Sequence, residues 1–62
     1  MNKKETVQEV YSRFRHDCGM DTMLCLQFLE WLHKEKNELV FLKDMPGLTV
    51  IETSYINNLL GN

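Results

Sequence analysis

Apolar positions along the chain fall into four groups separated by polar turns, and the spacing within each group differs. Val7, Val10, Tyr11 and Phe14 stand at i, i+3, i+4 and i+7, a single stripe at the helical period. Glu5, Glu9, Ser12, Arg13 and His16 take the opposite side, so residues 3–16 read as a surface helix with one buried face. Asp17-Cys18-Gly19-Met20 ends it, because Gly19 can adopt the left-handed conformation that closes helices. A link this short favours an antiparallel pair with the next helix.

The second group is the densest. Eight of the ten residues in MLCLQFLEWL, positions 23–32, are apolar. Asp21 or Thr22 supplies an N-cap, and His33, Lys34 and Lys36 place cations near the negative end of a helix that closes about Asn37. With successive residues 100° apart, Leu24, Cys25, Phe28, Leu29, Trp31 and Leu32 cover one broad arc, which Leu26 extends. Gln27, Glu30 and Lys34 form the polar strip, the last two as an i,i+4 surface pair. An amphipathic helix needs an arc of little more than ~100°, and this one spans roughly twice that. A helix of this kind is central to its own fold or shared with a second chain.

Leu39-Val40-Phe41-Leu42 fits either a buried strand or a short helix. Met45-Pro46-Gly47-Leu48 has the Pro and Gly of a type II turn. Thr49-Val50-Ile51-Glu52 then matches a capping box, and Ile51, Tyr55 and Leu59, with Ile56 and Leu60 alongside, follow the helical period to Gly61. A third helix is expected from about Val50 to Leu60. The expected fold class is therefore all-α, a single small three-helix domain over residues 1–62. The alternative is α+β, with a β-hairpin at about 39–52, although a type II turn twists the wrong way for a tight hairpin.

Composition narrows the function classes. A chain of 62 residues buries only roughly 60% of the surface its unfolded form exposes, so its stability is marginal unless a disulfide, a metal or association adds to the core. The formal net charge of −2 favours neither a nucleic-acid backbone nor an anionic membrane. Glu5 and Thr6 follow the first lysines where a secretory leader needs apolar residues, and no apolar run approaches the roughly 20 residues of a membrane span. A cytoplasmic location is expected, with no membrane partner, and Cys18 and Cys25 are expected as free thiols.

Candidate chemistry is sparse. Two Cys and two His lie between positions 16 and 33, but the one close pair is His16 and Cys18. Cys25 and His33 are roughly 12 Å apart on one helix, too far to share an ion. No phosphate loop or hydrolase motif is present, and a Cys–His nucleophile pair would need a cleft that a chain this small rarely builds. No cofactor, metal site or enzymatic activity is expected. Asp44–Thr49 resembles in part the loop of the helix-hairpin-helix DNA-binding proteins. Thr49, however, stands where that loop has its second Gly, and the following helix carries no Lys or Arg, so the resemblance implies no function here.

Protein association is the class that remains. Phe28 and Trp31 are large anchors of the kind that dominate interfaces, and Leu24, Phe28, Trp31 and Leu32 are the candidate interface. The expectation is a small interaction module that forms a homodimer and acts on an unidentified protein as a regulator, adaptor or inhibitor by stoichiometric binding. One alternative is a small DNA-binding regulator of helix-turn-helix type using Lys3, Lys4, Arg13 and Arg15. Another is a monomeric structural or accessory domain.

Overall fold

A computed structural model describes residues 6–61 of the protein. These form helices α1 (Val7–Asp17), α2 (Thr22–Trp31) and α3 (Val50–Leu60), with no strand among the described residues. The fold is a small all-α three-helix domain, and the hairpin at 39–52 is not formed. Leu39–Leu42 is instead one turn of 3-10 helix.

Local chemistry fixes each boundary. α1 begins at the first residue of the stripe, Val7, because Thr6 and Glu9 form a capping box: the Thr6 hydroxyl accepts from the Glu9 N–H and the Glu9 carboxylate accepts from the Thr6 N–H. Residues 3–5 of the expected helix lie outside the described residues. α1 closes in a Schellman motif, with Met20 N–H donating to Arg15 O at 2.8 Å and Gly19 N–H to His16 O at 3.2 Å. Gly19 has φ +67° and Met20 follows at +63°, so a side chain as well as a glycine sits in the left-handed region.

α2 is capped by Asp21, whose carboxylate accepts from Leu24 N–H at 3.1 Å. Its helical path runs on past Trp31 as a wider π turn, Leu32–Lys36, and stops at left-handed Asn37. There Leu32 O accepts from the N–H groups of both Asn37 and Glu38. The capping box of α3 forms as the spacing predicts, Thr49 with Glu52, and Gly61 closes the helix at φ +88°.

The core consists of Tyr11, Cys25, Leu29, Leu32, Leu39, Leu42 and Ile56. α2 packs on α3, and the 3-10 turn packs on both α1 and α3. The expected close pairing of α1 with α2 is not the main contact: the backbone neighbour of α1 is the 3-10 turn. Aromatic rings span from α1 to α2 instead. Phe28 stacks on Phe14 at 4.5 Å, on Tyr11 at 5.7 Å and on Trp31 at 5.5 Å between centroids. Of the α1 stripe only Tyr11 is fully buried, while Val7, Val10 and Phe14 are half-buried.

α3 turns inward the face its apolar residues mark, with Ile56 in the core and Tyr55, Leu59 and Leu60 packed against it, but its first turn departs from that pattern. Ile51, expected on the core side, is 56% exposed, whereas Glu52 is 3% exposed. Directed contacts hold the Glu52 carboxylate inside. Glu52 Oε1 accepts from Thr49 N–H at 2.9 Å, and Oε2 accepts from the Tyr11 hydroxyl. Arg15 Nε lies 3.1 Å from Oε2, an ion pair whose N–H is not aligned for a directed hydrogen bond. Arg15 also donates from Nη2 to Gly47 O at 3.1 Å and lies over the Tyr11 ring. A buried charge needs compensating partners, and these contacts tie α1 to the start of α3.

Candidate functional site

The wide apolar arc of α2 is covered along its centre and open along one edge. Cys25, Leu29 and Leu32 are buried, whereas Met23, Leu24 and Trp31 are 65%, 43% and 44% exposed. Trp31 remains half exposed although it stacks on Phe28, which in turn stacks on Tyr11 and Phe14 of α1.

Between α1 and the α2 edge lies a groove of about 740 Å³. Val7 and Val10 form its α1 wall, Phe28 and Trp31 the α2 wall, and buried Leu32 contributes to the lining. Phe41 enters from the 3-10 turn and is 60% exposed. The 3-10 turn produces this directly: Leu39 and Leu42, three apart, point into the core, which leaves Val40 and Phe41 outside. Gln8 Nε2 donates to Phe41 O at 3.1 Å and ties that segment to α1. Thr6, Gln8, Lys36 and Glu38 add the polar lining. Lys36 places its ammonium 5.5 Å from the Trp31 ring centroid, a cation–π contact that orients the indole.

Of the four candidate interface residues, Phe28, Trp31 and Leu32 line the groove together. Leu24 is exposed but lies outside the lining. Leu32 is only 4% exposed, so it contributes to the core as well as to the groove. Val7, Val10 and Phe41 were not legible as site residues. The one available signal was the apolar run Leu39–Leu42, which read at a period of three leaves Phe41 outside.

Two of the four basic candidates lie among the described residues. Arg15 is buried against Glu52, while Arg13 is exposed; Lys3 and Lys4 lie outside the described residues. Among the described residues no group of three or more His, Cys, Asp or Glu is placed to hold a metal ion. The groove lining contains no thiol or imidazole, so it offers apolar side-chain binding with one cation and one anion beside it. No helix among the described residues is long and apolar enough to cross a membrane.

No protein-family model matches this chain, and neither the curated proteins nor the solved structures include a match to it.

Proposed function

We propose that the protein is a protein–protein interaction module that works by stoichiometric binding through the α1–α2 groove, and that its first partner is a second copy of itself. The observation that carries this reading is the joint exposure of Trp31 and Phe41 over a groove of about 740 Å³ in so short a chain. Large aromatic side chains left in water at one place are anchors awaiting a partner surface. Lys36 and Glu38 favour self-association over an arbitrary partner. In a two-fold contact the same patch meets itself, so a patch that carries both Lys36 and Glu38 can pair the cation of one copy with the anion of the other. A regulator, adaptor or inhibitor role in the cytoplasm fits a domain that binds without chemistry. The DNA-binding alternative is weaker, since Arg15 already has a buried counter-ion.

Light scattering behind size exclusion tests this. The expected mass at tens of micromolar is twice the 7.4 kDa of one chain. Trp31→Glu and Phe41→Ser, both at exposed positions, are expected to return the monomer with helical content unchanged. A wild-type mass of 7.4 kDa throughout that range overturns the self-association.

A further inference from the structure

The two thiols lie outside the groove, yet the fold brings them into contact. Cys18 caps the end of α1 and is half-buried; Cys25 faces the core from α2 and is 2% exposed. Their sulfur atoms are 3.9 Å apart. Cys18 Sγ donates to Arg15 O at 3.5 Å, which leaves the Cys25 thiol to point its hydrogen at the Cys18 sulfur. We propose that Cys18 and Cys25 are a paired redox site that closes to an intramolecular disulfide on reaction with a low-molecular-weight disulfide such as oxidised glutathione.

Closing the bond to about 2.05 Å requires the sulfurs to approach by a little under 2 Å. Cys18 can supply that movement, because it sits on the short turn between two helices rather than inside one. A disulfide here spans residues 18–25 and binds the end of α1 to the second turn of α2. It would secure covalently a junction that already relies on left-handed Gly19 and Met20.

The reaction balances in two exchanges. The Cys18 thiolate attacks one sulfur of the reagent, forming a mixed disulfide and releasing one thiolate, which takes up the proton Cys18 gave up. The Cys25 sulfur then attacks the Cys18 sulfur, and the second reagent thiol leaves with the Cys25 proton. Two protein thiols are oxidised by two electrons, and one small disulfide is reduced to two thiols. Exposure sets the order. Burial holds the Cys25 thiol above its ordinary range, with adjacent Cys18 adding to the effect, so Cys25 resolves rather than initiates. A reducing compartment keeps both thiols reduced, and the site responds when the glutathione pool is oxidised.

Intact-mass measurement after incubation with oxidised glutathione tests the proposal. The wild-type chain is expected to lose two hydrogens without an adduct and to recover them with dithiothreitol. Cys25→Ser is expected to retain one glutathionyl group on Cys18, and Cys18→Ser to remain unmodified. The oxidised wild type is expected to melt roughly 10–20 °C higher than the reduced form. A persistent glutathionyl adduct on the wild type overturns the pairing. So do covalent dimers as the main product, or thiols that stay reduced when the chain unfolded in urea oxidises. The wild-type mass alone decides the matter if either variant fails to fold.

Discussion

Glu52→Gln is the most informative single change, because it removes one charge from a site where every partner is identified. The amide oxygen can still accept from Thr49 N–H, so the α3 cap survives in part. The NH₂ group that replaces Oε2 faces Arg15 and the Tyr11 hydroxyl. Tyrosine can adapt by accepting where it had donated. Arg15 cannot: its guanidinium stays charged, its side chain is 11% exposed, and its counter-ion is gone. Breaking a buried pair by removing one partner costs about 3–5 kcal/mol. The remaining Arg15–Gly47 hydrogen bond keeps the expected cost near the lower end, about 3 kcal/mol.

That loss is large for this chain. At about 0.05–0.15 kcal/mol per residue, a 62-residue domain has about 3–9 kcal/mol of stability in total. Urea unfolding followed by helical circular dichroism should therefore show the Glu52→Gln midpoint falling by a third or more, or the variant unfolded in buffer. The double variant Arg15→Met with Glu52→Gln should recover much of the loss, since it removes the stranded charge and keeps the volume apolar. A Glu52→Gln cost under about 1 kcal/mol, the value of an exposed pair, would refute the buried-cluster argument.

Other outcomes follow from the same geometry. Burial alone would raise the Glu52 carboxyl, but the Thr49, Tyr11 and Arg15 contacts outweigh it and hold the group below the ordinary carboxylate range. The folded state thus binds its proton less readily than the unfolded state. The Glu52 contribution to thermal stability should be constant above about pH 5 and fall on acidification, with a shallower fall in Glu52→Gln. Tyr11 is shifted upward, by burial first and by the Glu52 carboxylate next. Its contribution is present below the ordinary tyrosine value and should be lost as pH rises past about 10, a limb that Tyr11→Phe removes. Met20→Gly should stabilise the chain by about 1 kcal/mol in urea unfolding, because Met20 is half exposed and holds a left-handed φ of +63°. A destabilised Met20→Gly would show that the Met20 side chain has a packing role.

Local signals in the sequence carried the helices well, and non-local ones were silent. Asp21, Thr49 and Gly61 mark element ends because caps depend on residues three or four positions away. Thr6 and Glu9 obey the same rule, and their capping box was not read from the sequence although its spacing is the same as that of Thr49 and Glu52. The open edge of α2 was legible as an arc too wide for one neighbour, but which residues it leaves in water depends on where α1 lies. Glu52 shows the limit most clearly. Its spacing from Thr49 announces a helix cap, and a glutamate in that position is ordinarily solvated. Its burial depends on Tyr11, 41 residues away, and on Arg15, whose own pattern marks it as a surface cation. Once Tyr11 takes a core position, its hydroxyl needs an acceptor, and the acceptor's charge needs a cation. Glu52 and Arg15 answer those needs together, and Glu52 takes the inward position in the first turn of α3 while neighbouring Ile51 faces water. The removal of Arg15 from any basic cluster is thus a consequence of one buried carboxylate.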